Sequence, residues 1–159
     1  MQSNELDDTA LNILGVLQEN ARINNADLAK HVGLSPSACL RRVNLMEDSG
    51  LIEGYVTKVN REAFGYPISV FAHVTLERQV DQDLAVFEKK IITCREVMDC
   101  YLMTGDSDYL LHVVVADMSD YERFLSESLT VIPGIERVRS SVCLRTIVER
   151  PGPPLQLNR

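Results

Sequence analysis

The chain has no apolar run approaching the ~20 residues that cross a bilayer, which excludes a membrane-spanning helix and a membrane partner. Its opening, Met1-Gln2-Ser3-Asn4-Glu5, has no basic stretch and no apolar stretch ahead of a small-residue cleavage site. No secretory leader is therefore expected, and the expected compartment is the cytoplasm. Cysteine is sparse and scattered. Cys39, Cys94, Cys100 and Cys143 form no C-x-x-C pair, which argues against a zinc site and a disulfide framework and predicts free, mostly buried thiols. His31, His73 and His112 share no metal-ligand spacing, so neither a metal nor a cofactor is expected. Positive charge is in deficit: 16 Lys and Arg against 23 Asp and Glu leave a net −7. That balance disfavours a nucleic-acid partner unless the few cations gather on one surface, because docking responds to the local field.

What is present is ordinary for a globular chain, with 45% hydrophobic and 25% charged residues. At 159 residues it suits one large core or two small ones. The hydrophobic period decides for two. Over Asp8 to Gln18, Ala10, Ile13, Leu14 and Leu17 fall on one helical stripe, with Asp7 as N-cap. After a polar break, Asn24 and Asp27 resemble a capping box that opens a second helix, burying Leu28, Ala29 and Val32 and stopping at Gly33. Ser35 and Pro36 then supply a cap and a proline at the first helical position, so a third helix begins at once.

Helix, short glycine-containing turn, helix is the outline of a helix-turn-helix, whose second helix enters the DNA major groove. On that helix Cys39, Val43 and Met46 share one face, while Ser37, Ala38, Arg41, Asn44 and Asp48 lie on another. Arg pairs bidentately with guanine and Asn with adenine, and small residues permit close approach. The blander alternative is a three-helix bundle with a solvated polar face. Gly50 ends the helix, and Leu51 to Asn60 reads as a strand or hairpin, a wing or connector on which Lys58 and Arg61 can meet phosphates.

From Ile68 the period changes. Strand-like runs cover Ile68 to Leu76, Val97 to Met103, Tyr109 to Val115 and Val138 to Val148. Between them lie a helix over Asp83 to Thr93 and another, introduced by Asp117-Met118-Ser119, that turns Tyr121, Phe124, Leu125, Leu129 and Ile132 inward. The order β-α-β-β-α-β is that of a ferredoxin-like unit, an antiparallel sheet with both helices on one face. Its other face, expected to carry Val113, Val115 and Val142, needs cover, which predicts a dimer.

The stretch SPSACLRRVNLMEDSGLIEGYV, followed by MTGDSDYLL and PGIERV, resembles the leucine-responsive/asparagine-regulator (Lrp/AsnC) family of transcription factors over nearly the whole chain. The matching positions are Ser35, Pro36, Cys39, Arg42 and Val43 in the recognition helix, and Gly105, Asp106, Asp108 and Tyr109 in a later turn. The resemblance implies an α+β chain: a winged helix-turn-helix of three helices plus short strands over 1–60, a connector over 61–67, a ferredoxin-like effector and oligomerisation domain over 68–150, and a tail over 151–159. It implies a non-enzymatic, sequence-specific regulator that binds double-stranded DNA as a homodimer, often assembled further into an octamer. It also implies a small amino-acid effector bound between the C-terminal domains.

The candidate DNA-binding residues are Ser35, Ser37, Ala38, Arg41, Arg42, Asn44 and Lys58, with Arg42 equally suited to a phosphate or to Glu47. By motif match, Leu102, Thr104, Gly105, Asp106 and Asp108, with Met118, border the effector pocket. Backbone N–H groups at a glycine turn can hold a carboxylate and an Asp can hold an ammonium, although the same residues also make plain tight turns. Where many members carry basic residues after the arginine-valine pair, this chain has Asn44 and Leu45, which predicts a shallow salt dependence. Three rivals remain: a metal-dependent enzyme using Asp106 and Asp108, a thiol redox sensor using Cys94 and Cys100, and an effector-binding oligomer whose helix-turn-helix makes only protein contacts.

Overall fold

The computed structural model describes residues 6–155; the leader reading at Met1 to Glu5 and residues 156–159 of the expected tail lie outside them. The chain divides into two compact units, one running to Lys58 and resuming at Val148, the other spanning Val59–Ile147.

In the first unit, each helix starts where a side chain satisfies a backbone N–H that the helix itself cannot. Asp7 accepts from Ala10 N at 2.8 Å to open α1 (Asp8–Glu19). Asn24 accepts from Asp27 N at 2.9 Å to open α2 (Asn25–His31), and its own amide donates back to Asp27 Oδ2 at 2.7 Å. Ser35 Oγ accepts from Ala38 N at 3.3 Å to open α3 (Pro36–Asp48). Between α2 and α3, Gly33 takes φ +68°, a left-handed turn that glycine adopts without a Cβ clash. Ala10, Ile13, Leu28, Ala29, Cys39 and Met46 form the core, with Leu14, Leu17 and Val43 packed against it.

The strand expected over Leu51 to Asn60 is not formed within the single chain. A strand requires a second row of N–H and C=O groups, and no described segment supplies one; Val56 is 93% exposed. Residues 148–155 belong with the helices, and Gln18 Nε2 donates to the Pro153 carbonyl at 3.3 Å.

The second unit is a ferredoxin-like sandwich: β1 (Ile68–Leu76), α4 (Asp81–Ile91), β2 (Val97–Leu102), β3 (Tyr109–Val115), α5 (Met118–Phe124) continuing through a π turn at Leu125–Leu129, and β4 (Ile135–Val142). The strands lie in the order β2-β3-β1-β4, every neighbouring pair antiparallel. Alternate residues of β1 (Val70, Ala72, Val74, Leu76) and β3 (Tyr109, Leu111, Val113, Val115) meet Phe87 and Ile91 of α4 and Tyr121 and Phe124 of α5.

This register corrects the sequence reading of the uncovered face. Val113 and Val115 are buried beneath the helices at 0% and 1% exposure, and Val142 shares the face of its partner Val70. The face turned away from the helices carries Phe71, Leu110, His112 and Val114 instead, of which Val114 is already buried within the chain, since a shift of one residue exchanges the two sides of a strand. β4 also stops at Val142, short of the expected Val148. After a last bond from Cys143 N to Ser69 O, β1 has little left to pair with: its first residue is Ile68, preceded by Pro67, which has no N–H.

Candidate functional site

On α3 the apolar face anchors and the polar face is free. Cys39 and Met46 are buried and Val43 is half-buried, while Ser37, Arg41 and Asn44 are exposed. Ser35 is exposed as the cap, and Ala38 is half-buried. Leu40, which spacing did not single out, is also on the exposed side at 48%.

Arg42 has a definite partner. Its Nη1 lies 2.8 Å from Asp7 Oδ2 and 2.9 Å from Oδ1, tying α3 to the cap of α1. The pairing with Glu47 allowed by the sequence is not made; Glu47 Oε1 accepts from the Tyr55 hydroxyl at 2.8 Å. Burial and then that bond push the Tyr55 phenol up to about 12. Lys58 is also paired, 2.6 Å from Glu149 Oε2. Arg41 is thus the cation on the polar face of α3 that makes no ion pair among the described residues.

The turn between β2 and β3 gathers four of the predicted effector residues with a fifth behind them. Leu102 is 62% exposed at the end of β2, and Thr104, Gly105 and Asp106 are exposed in the turn. Gly105 takes φ +117°, where a side chain is strained, so the turn's shape depends on glycine. Asp108 is different: only 5% exposed, it accepts from Leu76 N at 2.7 Å through Oδ2, while its own N–H donates to Val74 O at 2.9 Å. Met103 N closes the turn onto Asp108 O at 2.8 Å. The Asp108 carboxylate therefore fastens the turn to the end of β1, and the pair of free carboxylates a metal would need is not available. Among the described residues no group of three His, Cys, Asp or Glu gathers to hold a metal.

Met118 is not brought to this turn. It opens α5 beyond Val115, and β3 separates the two by roughly 20 Å at about 3.3 Å per residue. A cavity of about 440 Å³ lies elsewhere again, lined by Lys90, Cys94, Arg95, Glu96, Glu127 and Ile132 among others, and by none of the predicted residues.

All four thiols are free, but only Cys39 is buried, since Cys100 lies on edge strand β2 and is exposed. Desolvation and then Glu88 push Cys100 up to about 11, and desolvation with Glu96 raises Cys94. At neutral pH both are held as thiols, the unreactive form, against a redox-sensing role.

One cluster left no local signal in the sequence. On the uncovered face His112 Nδ1 lies 3.0 Å from Asp99 Oδ2 and its Nε2 lies 3.2 Å from Ser69 Oγ, to which Arg61 donates at 3.0 Å. Phe71 stacks on the imidazole at 5.0 Å.

Two family models match the chain: a winged helix-turn-helix DNA-binding domain over residues 6–53 and the Lrp/AsnC ligand binding domain over residues 69–153. The chain belongs to the Lrp/AsnC family. The Bkd operon transcriptional regulator of Pseudomonas aeruginosa is 42% identical over 151 residues, covering 95% of this chain and 99% of that one. The leucine-responsive regulatory protein of Escherichia coli is 38% identical over 143 residues, 90% of this chain and 87% of the relative. A transcriptional regulator of Neisseria meningitidis solved with L-methionine superposes with a TM-score of 0.90 at 34% identity, covering 94% and 97%. As an Lrp/AsnC protein the chain is a DNA-binding transcriptional regulator, and its relatives are regulators rather than enzymes. The DNA-binding match spans α1 to α3 and ends before Lys58; the ligand-binding match contains the Gly105 turn.

Proposed function

We propose that this Lrp/AsnC regulator reads DNA as a homodimer through the Arg41 side of α3 and responds to an amino acid held at the Thr104 to Asp106 turn. The observation that carries the effector site is the pairing of opposite capacities in one exposed turn. Among the described residues the backbone N–H groups of Thr104, Gly105 and Asp106 find no hydrogen-bond acceptor, and Asp106 is exposed beside them. N–H groups suit a carboxylate and a carboxylate suits an ammonium, the two ends shared by every α-amino acid. Leu102 supplies apolar surface for a side chain, in keeping with the L-methionine bound by the Neisseria regulator. Asp108 acts by holding the turn in place. Met118 reaches such a ligand only from another subunit, which fits a pocket between subunits.

Dimerisation is supported by the uncovered face of the sheet, where Phe71, Leu110 and Tyr101 lack the helices that bury the opposite side. For DNA, Ser37, Arg41 and Asn44 form the reading set, Ser35 and Ala38 shape its start, and Arg42 and Lys58 contribute through packing or phosphate contact once their carboxylate partners yield. The test is a thermal-shift screen against the twenty amino acids, because a ligand that prefers the native state raises its melting temperature. At least one apolar amino acid should stabilise the protein, and Asp106→Asn should abolish the shift while leaving the unliganded melt unchanged. Silence across the panel, or a full shift in Asp106→Asn, contradicts the effector site.

A further inference from the structure

Leu40 is a fully apolar side chain placed inside a polar reading surface. It lies three residues after Ser37 and four before Asn44, the spacing of neighbours on one helix face, and is 48% exposed. It packs in neither the buried core of its unit nor the half-buried ring around that core. A single exposed leucine ordinarily means nothing. This one sits in the first half of α3, the half of a recognition helix that goes deepest into the major groove, directly beside Arg41.

Leucine has no donor or acceptor, so against most base edges it would strip water from N and O atoms and return no bond. The major groove offers one apolar feature among its four bases, the C5-methyl group of thymine. We infer that Leu40 selects a thymine methyl next to the base read by Arg41, which makes Leu40 a specificity-determining residue. The inference rests on the proposal that the Arg41 side of α3 enters the groove. It adds to that proposal an apolar term in sequence choice, independent of salt, which matters in a protein whose net charge of −7 leaves little phosphate attraction in reserve.

The experiment uses the full chain and a duplex enriched from a random pool, in which each thymine is replaced singly by deoxyuridine so that only a methyl is lost. At one thymine per half-site the wild type should lose about fourfold in affinity, the worth of one buried methyl. Leu40→Ala should bind the thymine duplex more weakly by a similar factor and be indifferent to uridine at that position. The inference is overturned if no uridine weakens the wild type, or if Leu40→Ala still loses the same factor on uridine substitution. It is equally overturned if Leu40→Ala alters sedimentation mass without altering base preference, since Leu40 then packs against protein. Arg41→Ala, run in the same pool, separates the two levels: retained base preference in that variant sinks the α3 reading itself, whereas lost preference with an unaltered Leu40→Ala sinks only the thymine contact.

Discussion

Arg41 and Arg42 are adjacent and chemically identical, yet the fold gives them different work. Arg42 is bound to Asp7, whose carboxyl is held below its ordinary value first by the Ala10 N–H and then by the Arg42 guanidinium. A carboxylate with a lowered folded-state value stabilises the native state above the unfolded value, and that contribution disappears as pH falls through the folded one. Asp27, held down by Lys30 and Asn24, adds in the same direction. The melting temperature of the helical unit should therefore decline modestly as pH falls below about 4, and Asp7→Asn should flatten that decline in a pH series of thermal melts. Arg42→Ala should lower the melt slightly and leave base preference intact. At Asp108, Ala substitution leaves the Leu76 N–H buried without an acceptor, a loss of about 1–3 kcal/mol in urea unfolding. Asp108→Asn, which keeps an acceptor oxygen, should lose less.

At the scale of elements, what was legible in the sequence is what is decided locally. Asp7, Asn24 and Ser35 each accept a hydrogen bond from an N–H three residues on, so the starts of α1, α2 and α3 are written in four-residue windows. The extents of β1 and β3 follow in the same way from their runs of β-formers. The parity of β3 does not. Its seven residues are nearly all apolar, and which side of the sheet takes Val113 and which Val114 is set by Val70 and Ser69 of another strand. The partners of Arg42, Asp108 and His112 likewise lie 35, 32 and 13 to 51 residues away, beyond any motif. The corrected parity carries its own prediction: Leu110→Asp, on the uncovered face, should abolish the proposed dimer and sediment as a monomer with the fold retained by circular dichroism. Leu111→Asp, beneath the helices, should unfold the unit instead.

For the whole molecule, on the proposed reading, a net −7 and an α3 whose Arg41 makes no ion pair among the described residues leave base contacts and shape to carry more of the affinity than phosphates do. The slope of log affinity against log salt should be no steeper than about −2 per subunit; a much steeper slope would reveal phosphate contacts outside α3. The most direct test of the account is methylation interference on the enriched duplex, because N7 of guanine lies in the major groove where a bidentate arginine binds. In the wild type, methylation of one guanine per half-site should block binding, and Arg41→Ala should bind methylated and unmethylated duplex alike. An interference pattern that survives unchanged in Arg41→Ala would show that another part of the protein occupies the groove.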